Sequence, residues 1–176
     1  MSCRAVLSIG GNRGDALGLL RGVVDAAAAD GILRAASSVY ATPPWGGVEQ
    51  DDFLNAALVV EHPGTPADVL EWGFARERAA GRTREVRWGP RTLDVDVVTA
   101  DVDGETVVSD DPILTLPHAR AAERAFVLVP WLEIDPEARL ADVPVTDHLA
   151  ALDPADVSAV RRLPGTLAPR GRVAPS

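Results

Sequence analysis

The apolar residues of this chain recur with two periods, which together predict strands that alternate with helices. Residues 5–9 form a short, mostly apolar run, which is typical of a buried strand. Over residues 16–29 the apolar positions return every three or four residues, which predicts an amphipathic helix capped by Asp15. The other predicted elements are strands at 33–42, 53–61, 93–99 and 106–108, a helix at 67–80, a helix at 121–132 interrupted at Pro130, and a short helix near 146–152.

Antiparallel strands interleaved with two long helices on one face predict an α+β sandwich of the ferredoxin-like kind. Residues 1–163 are predicted to form a single domain, and residues 164–176, rich in Pro, Gly and Arg, a flexible C-terminal tail. The loop over residues 43–52 is long and contains Trp45, as binding lids often do. The alternative is a surface loop with Trp45 folded back onto the core.

The composition excludes several kinds of site. There are 26 acidic and 17 basic residues, for a formal net charge of −9, and every basic residue is Arg. A chain without Lys has neither a Walker A phosphate site nor a Lys nucleophile, so any phosphate must be held by Arg. The single cysteine, Cys3, is expected to be a small buried apolar residue, since it has no partner for an internal disulfide and a zinc site is not expected.

The chain shows no feature of a membrane or secreted protein. Its apolar stretches fall far short of the roughly 20 residues that a membrane helix needs, and the N-terminus lacks the apolar region of a signal peptide. We therefore expect a cytoplasmic protein with no membrane partner. The net charge of −9 also disfavours a nucleic-acid partner.

The local charge changes sign in the middle of the chain. Residues 76–91 contain six Arg and two Glu, whereas residues 94–111 contain seven acidic residues and no basic one. Arg side chains bind phosphate oxygens and carboxylates bind Mg²⁺, so this juxtaposition favours a polyphosphate with its divalent metal. The alternative is a solvated, charged loop.

Two acidic residues share one face of a predicted strand. A period of two places Leu93, Val95 and Val97 on one face and both Asp94 and Asp96 on the other. Their Cα atoms then lie about 6.5–7 Å apart. Carboxylates at that spacing can jointly hold two metals about 3.5–4 Å apart, although a solvent-facing pair is the simpler explanation of such a motif taken alone.

Two further positions carry candidate chemistry. Phe53 and Asn55 lie two residues apart, so they share a face of their strand and pair a flat ring with an amide able to read the edge of a heterocycle. His118 is followed by Arg120 and Arg124, so it could add a donor to a phosphate site. A purely structural histidine is the alternative.

Four sequence blocks occur together along the chain. They are residues 9–15 (IGGNRGD), residues 40–46 (YATPPWG) with Gln50 and FLN at 53–55, residues 87–96 (RWGPRTLDVD), and LPH at 116–118 with RAFVL at 124–128. With these blocks, of which the third is highly specific, the chain resembles the 6-hydroxymethyl-7,8-dihydropterin pyrophosphokinase family of folate biosynthesis. The resemblance implies transfer of a pyrophosphoryl group from ATP to the hydroxymethyl group of a reduced pterin, with two Mg²⁺ ions, on a ferredoxin-like fold.

The resemblance also implies a role for each matching position. Asp94 and Asp96 match the magnesium ligands and, with Arg82 and Arg91, the catalytic positions. A carboxylate such as Asp96, or water, would take the hydroxyl proton. The positions that match ATP-binding residues are Glu77, Arg82, Arg84, Arg87, Trp88, Arg91, Val97 and His118, with Glu77 expected to pair with an arginine and Val97 to lie near the adenine. The positions that match pterin-binding residues are Thr42, Pro43, Trp45, Phe53, Asn55, Arg124 and Phe126.

Three positions depart from the family pattern, namely Gly11, Phe74 and Ala119, and they affect nucleotide contacts rather than the reaction. Two other functions use the same residues. A two-metal phosphohydrolase would use the aspartates with water as the nucleophile. A non-catalytic module that binds nucleotides or RNA would use only the charges.

Overall fold

The computed structural model describes residues 1–44, 49–81, 92–167 and 169, which form an α+β fold with a mainly antiparallel sheet. The predicted fold class is confirmed. The helices are α1 (Ala16–Ala29), α2 (Pro66–Ala79), α3 (Ala125–Ile134), α4 (Val145–Ala150) and α5 (Pro154–Ser158). The strands are β1 (Cys3–Gly11), β2 (Leu33–Ala36), β3 (Tyr40–Thr42), β4 (Phe53–His62), β5 (Asp94–Val102), β6 (Glu105–Thr106), β7 (Ser109–Asp110), β8 (Thr115–Leu116), β9 (Arg139–Leu140), β10 (Val143–Pro144) and β11 (Arg161–Arg162).

Strand β1 lies at the centre of the main sheet, between β4 and β5, and is antiparallel to both. All of its residues except Arg4 are buried, as expected for a strand with both faces covered. Within the described residues the sheet has seven strands in the order β11-β3-β4-β1-β5-β6, with β2 also paired to β4. Residues far apart in sequence therefore meet on neighbouring strands.

Helices cover both faces of this sheet. On one face, α1 and α2 bury Leu20 and Val69 against Leu7 and Leu58 of the central strands. On the other face, α3 packs in a second cluster that contains Val6 and Val59. The buried residues of the second cluster lie away from the ends of β1, β4 and β5 near Gly11, Phe53 and Asp94. The predicted site residues Phe53, Asn55, Asp94 and Asp96 lie at those strand ends.

Most predicted elements occur close to their predicted bounds. Helix α1 begins and ends as predicted, and the side chain of its cap, Asp15, accepts a hydrogen bond of 3.0 Å from the N–H of Gly18. The strand predicted over residues 33–42 is instead two strands. It is interrupted because Ser37 bonds across to Ala57 with both its N–H and its hydroxyl oxygen.

The predicted interruption of the third long helix at Pro130 is wrong. The break lies at Arg124, whose backbone is extended between a 3-10 turn (Ala121–Glu123) and α3. Pro130 lies inside α3, where it costs the helix one hydrogen bond. Close packing of Leu128 and Trp131, which are almost fully buried, holds the helix together around it.

The segment predicted to be a flexible tail, residues 164–176, contains one packed residue among those that the structure describes. Leu167 is 3% exposed and belongs to the same core cluster as α1 and α2. After Leu167, only Pro169 of that segment lies within the described residues. In the part of the chain that the structure describes, no helix is long and apolar enough to cross a membrane.

Candidate active site

The two aspartates of β5 lie on one face of the sheet. Asp94 is paired with Gly10 of β1, and Asp96 is paired with Ser8. Val95, between them, points to the opposite face and belongs to the core cluster under α1 and α2. Both aspartates are partly exposed, so the sheet carries two neighbouring carboxylates where solvent reaches them.

The outer edge of β5 is covered beside these aspartates. The buried carboxylate of Glu77, on α2, accepts a hydrogen bond of 2.9 Å from the N–H of Val95. Further along the edge, the N–H of His118 donates to the carbonyl of Val98 at 2.8 Å. An edge strand with open N–H and C=O groups is free to shift or to pair wrongly. These two contacts hold the strand in position on both sides of Asp96.

Glu77 reaches the strand because α2 lies unusually close to it. Gly73 is one turn earlier on the same helix and faces Val95. A Cβ at position 73 would lie only 2.9 Å from Cγ1 of Val95, so any larger residue would push the helix away. Glu77 was expected to pair with an arginine, and its contact with a backbone N–H was not predicted from the sequence.

His118 lies beside Asp96 in a mixed electrostatic environment. Burial lowers the pKa of His118. The positive charges of Arg124 and Arg120 also lower this pKa, whereas the negative charge of Asp96 raises it. The ring is therefore neutral at pH 7. Its Nδ1 accepts a hydrogen bond of 3.2 Å from the N–H of Arg120. The proton of the neutral ring is thus on Nε2, which makes that nitrogen a donor.

Asn55 lies on the same face as the aspartates, two strands away. Strand β4 pairs it with Gly10, whose other neighbour is Asp94, so the three residues form one row across the sheet. Asn55 is only 7% exposed, and its Oδ1 has no hydrogen-bond partner among the described residues. A buried amide oxygen without a partner is costly, so this atom is suited to accept a hydrogen bond from a ligand.

The remaining described pterin-type positions lie on or next to β3 and β4 and at the start of α3. Phe53 and Asn55 share a face, as predicted, and Phe53 is paired with the buried Thr42 of β3. The guanidinium of Arg124 lies 5.7 Å from the centre of the Phe126 ring. The helix is interrupted at Arg124, which therefore lies just before α3 and close to His118. Pro43 is exposed at the end of β3.

Other predicted positions do not join this group. Val97 packs in the core cluster on the face opposite to the aspartates. Six predicted site residues lie outside the described residues, namely Trp45, Arg82, Arg84, Arg87, Trp88 and Arg91. In the described part of the chain, no group of three or more His, Cys, Asp or Glu side chains is arranged to hold a metal by itself.

A cavity of about 440 Å³ lies beside this site rather than in it. It is lined by residues 12–14 and 49–51, none of which was predicted to bind a substrate. Asn12 in its wall is 6% exposed and donates to Oε1 of Gln50 at 2.9 Å and to the carbonyl of Asp51 at 3.0 Å. Asn12 was not among the predicted site residues, although Asn12 and Gln50 both belong to the sequence blocks quoted above.

Comparison with known proteins identifies the family. A family model described as 7,8-dihydro-6-hydroxymethylpterin-pyrophosphokinase matches residues 6–136, which is most of the chain. The chain belongs to this pterin pyrophosphokinase family. The matched range contains every described residue of the candidate site.

Curated members of the pterin pyrophosphokinase family are similar over most of their length. A protein of Mycobacterium tuberculosis is 47% identical over 171 residues, covering 90% of this chain and 88% of that protein. One of Methylorubrum extorquens is 45% identical over 159 residues, covering 89% and 98%. Both are named 2-amino-4-hydroxy-6-hydroxymethyldihydropteridine pyrophosphokinase.

Solved structures support the fold. The wild-type HPPK-DHPS of Plasmodium falciparum, crystallised with pteroate, matches 85% of this chain with a TM-score of 0.57 and 12% identity. The chain spans less than half of that protein, 42% of its length. At this identity the likeness concerns the fold alone.

Proposed function

We propose that this protein transfers the pyrophosphoryl group of ATP to the hydroxymethyl group of 6-hydroxymethyl-7,8-dihydropterin and releases AMP. Membership of the pterin pyrophosphokinase family supports this. The single structural observation that carries it is the row formed by Asn55, Gly10 and Asp94. This row places an amide that can bind a heterocycle two strands away from a carboxylate that can bind a metal–phosphate group, a distance of about 10 Å. Gly10 lies between them and has no side chain.

The pterin is assigned to the end of this row at Asn55. The pyrimidine edge of a pterin carries N–H donors, and the buried, unpartnered Oδ1 of Asn55 is an acceptor suited to them. Phe53 and Phe126 supply flat apolar surfaces for the ring. The proposed pterin-binding set is Thr42, Pro43, Trp45, Phe53, Asn55, Arg124 and Phe126.

The metal–phosphate group is assigned to the end of the row at Asp94. Asp94 and Asp96 supply hard carboxylate oxygens, the donors that Mg²⁺ prefers, and one or two carboxylates together with substrate phosphates are a usual set for this ion. We assign two ions to this pair. Bound Mg²⁺ neutralises phosphate charge and lowers the pKa of a coordinated hydroxyl.

The protein's own groups are assigned to the oxygens of the triphosphate. His118, neutral with its proton on Nε2, is assigned as a donor to a phosphate oxygen. In this proposal the remaining ATP contacts come from Arg82, Arg84, Arg87, Trp88 and Arg91, whereas the side chain of Val97 is buried in the core and makes no such contact. Glu77 acts through the strand that bears the aspartates, because its carboxylate contacts the N–H of Val95.

In the reaction the pterin hydroxyl oxygen attacks the β-phosphorus of ATP, and a new P–O bond forms. The hydroxyl proton passes to a carboxylate such as Asp96 or to water, and the bond between the β-phosphorus and the oxygen that bridges to the α-phosphate breaks, with AMP as the leaving group. The protein contributes mainly alignment and charge stabilisation, as is usual in phosphoryl transfer. Asn55 and the aromatic rings orient the pterin, and the arginines and His118 hold the oxygens that gain charge.

The test is AMP release with and without the pterin. The expected result is AMP formed only when hydroxymethyldihydropterin is present, together with the pterin diphosphate. Asp94→Asn and Asp96→Asn should each abolish it, whereas Asp110→Asn, at an exposed position on β7, should not. Phosphate released from ATP in the absence of pterin would favour the phosphohydrolase and would overturn the proposal.

We place this reaction in the cytoplasm. The chain has one cysteine, Cys3, which is a free, fully buried thiol, as the sequence predicted. A chain stabilised without any disulfide is typical of reducing compartments.

A further inference from the structure

Gly10 occupies the centre of the candidate site. It lies in β1 directly between Asn55 on β4 and Asp94 on β5. Residues paired across antiparallel strands point to the same face, so a side chain at position 10 would rise between the amide and the carboxylate.

The neighbours of Gly10 leave no room for a side chain. A Cβ built on Gly10 would overlap with Nδ2 of Asn55 and would lie 3.2 Å from Cγ of Asn55. It would also lie 3.1 Å from the carbonyl oxygen of Leu54, which is a tight but tolerable contact. The severe conflict is therefore with the Asn55 amide, and Asn55 is buried, so the amide can escape only by changing its orientation.

We infer that Gly10 is a positioning residue for pterin recognition: because it has no side chain, the Asn55 amide can lie over β1 in the orientation that binds the pterin. This inference rests on the proposed function, because the ligand that the amide reads is the pterin. The amide of Asn55 occupies the space that a side chain at position 10 would take. The unpartnered Oδ1 is thereby held in one orientation, ready for the donors of the ring.

Replacing Gly10 by alanine should selectively weaken the binding of the pterin. A methyl group at position 10 turns the amide away, and a ligand donor that then meets no acceptor loses one buried hydrogen bond. That loss corresponds to a drop of roughly 10- to 100-fold in affinity. Binding of ATP with magnesium should change by less than about 3-fold, a difference well under one hydrogen bond, because the backbone pairing of β1 with Asp94 and Asp96 does not require the glycine.

The experiment compares Gly10→Ala with Gly22→Ala. Gly22 lies on the exposed side of α1 with nothing within 4 Å of a built Cβ, so it controls for the loss of a glycine alone. Dissociation constants for the pterin and for a non-hydrolysable ATP analogue with Mg²⁺ are measured by calorimetry, together with the melting temperature. The expected result is weaker pterin binding in Gly10→Ala only, with nucleotide binding unchanged.

A double variant tests whether the effect passes through Asn55. Asn55→Ala and Gly10→Ala/Asn55→Ala should bind pterin equally weakly and melt at similar temperatures, because the conflict disappears with the amide. If Gly10→Ala alone does not fold, the same comparison still decides. A double variant that binds less pterin than Asn55→Ala, or that does not fold, would overturn the inference.

The two proposals fail in different ways. If the unaltered protein releases no AMP in the presence of pterin, the proposed function is wrong. If it does so and Gly10→Ala binds pterin as the unaltered protein does, only the role of Gly10 is wrong.

Discussion

Glu77 on α2 accepts a hydrogen bond of 2.9 Å from the N–H of Val95, the residue between Asp94 and Asp96. A carboxylate from another element thus holds the backbone at the midpoint of the two candidate metal ligands. A group that contacts a metal-binding segment without binding the metal itself holds the metal ligands in their orientation.

Replacing Glu77 by Ala should weaken the response to magnesium. The N–H of Val95 would lose its acceptor in a buried position, and the strand edge that carries both aspartates would loosen. We expect the magnesium concentration for half-maximal activity to rise about 10- to 100-fold. Magnesium titrations of AMP release at saturating pterin would measure it.

Glu77→Gln is the matched conservative change, because its amide oxygen still accepts from Val95, and we expect it to recover part of the loss. Glu71→Ala is the control on the same helix, since Glu71 is exposed and pairs with Arg78 in solvent. Equal magnesium dependence in Glu77→Ala and Glu71→Ala would contradict the positioning role.

Asn12→Asp should destabilise the entry to β4. The amide of Asn12 donates to both Gln50 and the carbonyl of Asp51, and a carboxylate in its place has no donor and repels both oxygens. We expect a loss of about 1–3 kcal/mol in the free energy of unfolding and a higher KM for pterin with less change in the KM for ATP. Urea denaturation and initial-rate kinetics would measure these effects.

Gln50→Ala is the comparison for Asn12, because it removes one of the two contacts and keeps the bond to Asp51. A smaller loss of stability than in Asn12→Asp is expected. If Asn12→Asp and Gln50→Ala were equally stable and equally active, the two hydrogen bonds of the Asn12 amide would have no part in shaping the site.

The capping box of α2 should make stability depend on pH in the acid range. The carboxylate of Asp68 accepts from the N–H and the hydroxyl of Thr65, and these hydrogen bonds hold the pKa of Asp68 below its usual value. A lowered folded-state pKa means that the stabilisation is present above the unfolded value and is lost as the pH falls through the folded one.

The difference in melting temperature between the unaltered protein and Asp68→Ala should therefore be full at neutral pH and should shrink as the pH falls below about 4. Asp25→Ala, at an exposed aspartate on α1, is the control and should show no such trend. A difference that stayed constant down to pH 2 would contradict the assignment.

Local features of the site could be read from the sequence because they depend on neighbouring residues. The period of two in a strand is enough to put Asp94 and Asp96 on one face, and Phe53 and Asn55 on one face. The cap at Asp15 and the three- and four-residue spacing that follows it likewise predicted the bounds of α1. The fold class followed from the order of such elements.

The sequence predicted the helix interruption at Pro130 and not at Arg124, because the local sequence signal and the tertiary packing favour different positions. Pro130 is the strongest local helix breaker in that segment, but the buried contacts of Leu128 and Trp131 outweigh its cost. Tertiary packing overrides a local preference in this way when the segment is largely buried.

By itself, the sequence determined the elements, their faces and the kind of chemistry that the charged residues support, since these follow from backbone geometry over a few residues. Only the tertiary structure decided that Asn55 and Asp94 flank Gly10, and that Glu77 reaches Val95. Those relationships depend on which strands become neighbours and on how closely a helix approaches them. Both are set by packing between segments that are distant along the chain, which no local pattern encodes.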